Sequence, residues 1–99
     1  FKGSATAGYE NYTDVFAYPN PVRPGYEGPI YIKGLVTNAT VLLTDVAGNI
    51  VFQTVAEGGQ ARWDGQNLNG EQVVSGVYIA YITDDLGEKT TVTKILVIR

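Results

Sequence analysis

The sequence predicts an all-β fold, a seven-stranded antiparallel β-sandwich with an immunoglobulin-like arrangement. Three observations carry that expectation. Runs rich in Val, Ile, Thr and Tyr recur about every ten residues, among them "IYIKGL" at 30–35 and "GVYIAYIT" at 76–83. Clusters of Gly, Asn and Asp separate the runs, and these residues form turns for local reasons: Gly reaches positive φ, while Asn and Asp bond their own backbone. No window carries the apolar period of an amphipathic helix.

Residues 1–13, "FKGSATAGYENYT", are small, polar and aperiodic, and read as a linker. The domain therefore spans 14–99. Pro19, Pro21, Pro24 and Pro29 then forbid a helix and confine any strand nearby to a sheet edge. In "IYIKGL", Ile30 and Ile32 alternate with Tyr31 and Lys33, the period of a half-buried strand. "ATVLLTDV" (39–46) is rich in β-branched residues and turns through "AGN" into "IVFQTV". "GGQARWDG" supplies a short strand ending at Trp63. "GVYIAYIT" and "KTTVTKILVIR" form the last pair, joined by "DDLGE" around Gly87.

With no Cys in the chain, the core rests on packing alone. Trp63, Phe52, Tyr78, Val41, Leu43, Ile95 and Val97 are the core candidates. The last pair is apolar on both faces. Tyr78, Ala80 and Ile82 alternate with Val77, Ile79 and Tyr81, and Ile95 and Val97 with Leu96 and Ile98. Such a pair is either central or covers something beyond its own sandwich.

Composition narrows the function. At 99 residues there is room for one domain, burying roughly 60–65% of its unfolded surface. The net charge is −3 and the bases are scattered singly, which argues against nucleic acid. No run approaches the ~20 apolar residues of a membrane span. The chain opens at Phe1 without a signal-peptide pattern and reads as a piece of a longer protein. His is absent along with Cys, which removes the usual general base, the commonest metal ligand and every Ser-His-Asp or Cys-His nucleophile. The residues call for no enzyme, metal or other cofactor.

The polar segment 64–71 holds Asp64, Gln66, Asn67, Asn69 and Glu71 beside Gly65 and Gly70, a composition that calcium loops also use. The EF-hand spacing fails, because no Asp opens the frame that ends at Gly70, and a turn accounts for the residues with less. Asp84 and Asp85 are adjacent and point to opposite faces of a strand end, so they read as turn residues rather than a catalytic pair. "NYT" (11–13) and "NAT" (38–40) match the glycosylation triplet, which matters only in a eukaryotic secreted protein. Seven Tyr suit strands, and they also suit saccharide stacking. Tyr18, Tyr26 and Tyr31, with nearby Arg23 and Lys33, are the candidate glycan contacts.

"YPNP" (18–21), "VLLTDVAGNIV" (41–51), "WDGQNLNGEQVVSGVYIAYI" (63–82) and "TKILVIR" (93–99) occur in an order that resembles the C-terminal sorting domains of the type IX secretion system of Bacteroidetes. The match covers roughly residues 15–99. The W-D-G…G-x-Y portion alone is also similar to the immunoglobulin-like domain of flagellar hook-capping proteins. The Pro- and Gly-rich opening looks like the C-terminal domains of propeller-bearing surface components that deliver anionic lipopolysaccharide. The resemblance implies a non-enzymatic sandwich that addresses a larger exported protein to the outer-membrane secretion machinery or its sortase. The parent would cross the periplasm and reach the outer-membrane surface or the medium. By position it implies recognition at Gly76, Val77 and Tyr78 of the G-x-Y element and Gly87 of the last hairpin. It extends that role to Lys94, the basic residue opening the terminal strand, and to the pair Ile98 and Arg99. Two rival readings are a retained module binding glycan or lipopolysaccharide and a spacer packed against the upstream domain of the same chain.

Overall fold

The computed structural model describes residues 15–84, 86–87 and 90–99. The expected linker 1–13, its "NYT" triplet and Asp85 lie outside them. The seven strands are β1 (Phe16–Tyr18), β2 (Ile30–Lys33), β3 (Thr40–Thr44), β4 (Ile50–Val55), β5 (Gln60–Trp63), β6 (Gly76–Thr83) and β7 (Thr90–Val97). They form a three-stranded sheet in the order β1-β2-β5 and a four-stranded sheet in the order β4-β3-β6-β7. Every ladder is antiparallel. No helix occurs among the described residues, and the expectation of an antiparallel β-sandwich is met. β1 stops directly before Pro19 and occupies a sheet edge, the place that a strand next to the prolines must take.

The alternation of each strand sets the core. Ile30 and Ile32 of β2 face inward with Ala61 and Trp63 of β5, and meet Val41, Leu43, Tyr78, Ala80, Ile82, Ile95 and Val97 of the other sheet. Trp63 is fully buried, and its indole N–H donates to the Gln66 carbonyl at 2.9 Å, so its one polar atom is satisfied. The Tyr78 ring lies 5.7 Å from that of Trp63 at 58°, a tilted aromatic pair bridging the sheets. Each large side chain buried this way contributes about 1.5–3 kcal/mol, set against the entropy of ordering the chain.

Phe52 differs from the expectation. The β3–β4 ladder pairs Leu43 with Phe52 and Thr44 with Ile50, leaving Val51 as an extra residue in β4. This bulge interrupts strict alternation. Val51 enters the core, and Phe52 is half-buried against its margin.

Candidate functional site

The β6–β7 ladder brings most of the expected recognition residues together. Gly76 pairs with Val97, Val77 with Leu96, Tyr78 with Ile95 and Ile79 with Lys94. Gly87 stands apart. It lies in the hairpin beyond the Thr83–Thr90 pair, seven ladder steps from Gly76, roughly 23 Å at the rise of a strand. There its N–H donates to the Asp84 carbonyl and its φ is 73°, so its role is that of a turn residue. Lys94 sits in the middle of β7 rather than at its start.

The residues divide between core and surface. Tyr78 is buried, and its hydroxyl donates to the Val74 carbonyl at 2.6 Å. Burial raises its pKa above the ordinary phenol value, with the Asp45 charge adding to the shift and Arg99 opposing it. It is a structural residue. Val77, Ile79 and Tyr81 are half-buried on the outward face, and Val92 and Leu96 of β7 are 51% and 41% exposed there. Lys94 is the exposed cation among them. The outward face of the last pair is thus apolar around one positive charge.

The segment that follows β1 holds the free edge of β7. The Asn20 side chain accepts from Leu96 N–H at 3.0 Å and donates to the Lys94 carbonyl at 2.9 Å. Val22 N–H donates to the Leu96 carbonyl at 2.8 Å, and Ile98 N–H donates to the Val22 carbonyl at 2.7 Å. Asn20 and Val22 together replace a neighbouring strand along the second half of β7. Arg99 is fastened as well. Its N–H donates to Ser75 Oγ at 2.7 Å, and its guanidinium donates to the Val73 carbonyl at 3.1 Å and, more weakly, to that of Gly65 at 3.4 Å. Gly65 fits this closeness: its φ is 75°, and a Cβ there would stand 3.3 Å from Arg99 Nη2. Asn20 and Val22 were not among the residues that sequence singled out. Their partners lie more than seventy residues away, and only the position of "NP" after an edge strand hints at them.

The candidate glycan residues fall into two groups. Tyr18 pairs with Tyr31, Phe16 with Lys33, and Tyr31 with Arg62, all on the outward face of the three-stranded sheet. Tyr18 is 64% and Phe16 51% exposed, and Lys33 Nζ stands 5.8 Å from the centre of the Tyr31 ring, within reach of a cation–π contact. Arg23 and Tyr26 lie instead in the loop before β2, and the Tyr26 hydroxyl donates to the Pro29 carbonyl. Phe16 and Arg62 complete the sheet face and were missed, because Arg62 is joined to it only through the β2–β5 register.

The polar segment 64–71 is a turn. The Asp64 carboxylate takes the Arg62 guanidinium at 2.9 Å and raises its pKa. Asn67 Oδ1 accepts from the N–H groups of Asn69 and Glu71, and Asn67 Nδ2 donates to Glu71 Oε1. Asp64 Oδ1, Asn67 Oδ1 and Glu71 Oε1 are thus engaged by the protein's own donors.

No curated protein sequence matches the chain. Among solved structures the chain is similar to PorZ of Porphyromonas gingivalis, described as an essential bacterial surface component of the type IX secretion system, with 33% identity and a TM-score of 0.83. That likeness covers 98% of this chain and 13% of PorZ, so the chain spans a small part of that relative's length. No helix among the described residues is long and apolar enough to cross a membrane. The family model of secretion system C-terminal sorting domains matches residues 16–99. The sandwich with its braced last strand belongs to that family of sorting signals, which is not a family of enzymes.

Proposed function

We propose that the domain is a non-enzymatic address that targets or tethers a larger exported protein to the type IX machinery at the outer membrane. The observation that carries this reading is the outward face of β6 and β7, where Val77, Ile79, Tyr81, Val92 and Leu96 surround Lys94. An exposed apolar patch on a rigid strand pair is a surface for a protein partner, and Lys94 adds a charge that steers it. Recognition needs no chemistry from the domain, only a rigid strand pair. On this reading Lys94, Val77, Leu96 and Ile98 meet the receptor, while Gly76, Tyr78, Gly87 and Arg99 fix the surface that they present. The parent protein passes through the periplasm and is delivered to the outer-membrane surface or released. In a type IX-competent host, a reporter fused to the domain should accumulate in the periplasm when Lys94→Ala is introduced, with the melting temperature of the isolated domain unchanged. Export at the wild-type level would remove Lys94 from the address.

A second reading has its own observation. Phe16, Tyr18 and Tyr31 lie side by side with Lys33 and Arg62 on the opposite sheet, a stacking surface beside two cations. It suits an anionic saccharide such as the glycan of lipopolysaccharide. Tyr18→Ala with Tyr31→Ala should then abolish saccharide binding while export continues. Unchanged binding would exclude this face.

A further inference from the structure

One end of the sandwich carries the same loop twice. In Asp45–Asn49, Asp45 N–H donates to the Asn49 carbonyl, Gly48 N–H donates to the Asp45 carbonyl, and Asp45 Oδ1 accepts from Ala47 and Asn49 N–H. In Asn67–Glu71 the corresponding bonds run from Asn67 N–H to the Glu71 carbonyl, from Gly70 N–H to the Asn67 carbonyl, and from Asn69 and Glu71 N–H to Asn67 Oδ1. Each loop closes with an amide-to-carboxylate bond between its first and fifth side chains, in reversed order: Asn49 Nδ2 to Asp45 Oδ2, and Asn67 Nδ2 to Glu71 Oε1. Each raises an aliphatic side chain at its second position, Val46 at 75% and Leu68 at 66% exposure.

Between the loops runs an open groove of about 690 Å³. Val46, Ile50, Val51, Val73, Val74 and Val77 are its aliphatic lining, and Tyr78 also lines it. Val74 and Ile50 are 75% and 49% exposed, so the groove is a concentration of uncovered aliphatic surface. Its charged lining is of one sign: Asp45 and Glu71 contribute carboxylates, and no Lys or Arg among the described residues lines it. The Glu71 carboxylate keeps Oε2 clear of the loop bond made by Oε1. The Arg99 guanidinium is held by the Val73 and Gly65 carbonyls and does not line the groove.

We propose that this groove between the Asp45–Asn49 and Asn67–Glu71 loops binds an extended peptide segment of a partner protein, with aliphatic side chains in the middle and Lys or Arg at the flanks. The loops supply rigid walls, because each is closed by its own hydrogen bonds and has little order to gain on binding. Val46 and Val74, each 75% exposed in the lining, give the segment apolar contact, and the carboxylates at the two walls select its charge. The groove adjoins the address on β6 and β7 and shares Val77 with it, while Lys94 and Leu96 lie outside the groove.

The test is a titration of the 15N-labelled 99-residue chain with a degenerate pentapeptide library, Lys at both ends and Val, Ile, Leu or Thr between, followed by amide chemical shifts. A second library with Glu at both ends serves as the charge control. The expected result is shifts confined to residues 45–51 and 67–78, produced by the Lys-ended library only. Glu71→Gln, which keeps the bond from Asn67, should weaken binding roughly threefold, the size an exposed ion pair supports. Val46→Ser with Val74→Ser should weaken it about tenfold by removing apolar contact without touching the core. Four results would overturn the proposal: no shifts at millimolar peptide, equal shifts with the Glu-ended library, shifts centred on Thr90–Val97, or shifts that grow with protein concentration alone and so identify a second copy as the occupant.

Discussion

Asn20 and Leu96, 76 positions apart, are joined as neighbouring strands would be: the Asn20 side-chain oxygen accepts from the Leu96 N–H at 3.0 Å. With the bond from Asn20 Nδ2 to the Lys94 carbonyl and those of Val22 to Leu96 and Ile98, the segment after β1 pairs the second half of an otherwise open sheet edge. Open edges invite pairing with other chains, so this closure restricts where a partner can add to β7. Asn20→Ala should cost about 1–2 kcal/mol in denaturant unfolding, two modest hydrogen bonds. Amide exchange at Leu96 should accelerate more than that at Ile82, which lies in the centre of the sheet. Equal acceleration at both would mean that Asn20 acts on global stability alone.

Tyr78 anchors the G-x-Y element from inside. Tyr78→Phe removes the hydroxyl bond to the Val74 carbonyl and should lower stability by about 1 kcal/mol. Trp63→Ala, which empties the centre of the core, should cost about 3–5 kcal/mol and leave little folded domain. The Tyr78 phenol also makes stability depend on alkali. Its pKa is raised in the folded state, chiefly by burial, so its contribution is complete below the unfolded phenol value of about 10 and is lost as pH rises through the folded value. Urea midpoints measured across that range should fall less steeply in Tyr78→Phe.

Acid acts through Asp45. Hydrogen bonds from the Asn49 backbone and side chain hold its carboxyl below the ordinary value, so its contribution is present above the unfolded value of about 3.9 and is lost as pH falls through the folded one. Asp45→Asn should remove that part of the acid dependence and modestly destabilise the loop, since its charge-assisted bond with Asn49 becomes a neutral one that requires the Asn49 amide to turn over. Adding Asn49→Glu reproduces the side-chain order of Asn67 and Glu71, and should restore the melting temperature. A double variant no more stable than Asp45→Asn would show that the two loops are not interchangeable.

Much of this architecture was legible in the sequence because it is local. The alternation of Ile30 and Ile32 with Tyr31 and Lys33 became the observed burial of β2, and the glycine-centred turns fell between strands. Phe52 packs against the core margin while the bulge residue Val51 enters the core, and nothing in "IVFQTV" marks which residue is the extra one. The site was legible in part. Pairing "GVY" with "TKILVIR" followed from a hairpin, but its separation from Gly87 depends on strand length and register. The bonds of Asn20 and Arg99 join segments far apart in the chain, and no spacing rule encodes such partners.

The central claim is that the outward face of β6 and β7 is the address, and Leu96→Glu tests it most directly. Leu96 is 41% exposed and points away from the core, so the substitution should change stability by no more than about 1 kcal/mol. The measurement is fractionation of a reporter fused to the domain in a type IX-competent host, with circular dichroism and melting of the isolated variant alongside. The account predicts a folded Leu96→Glu domain whose reporter remains in the periplasm. A folded variant whose reporter reaches the surface as efficiently as the wild type would contradict it.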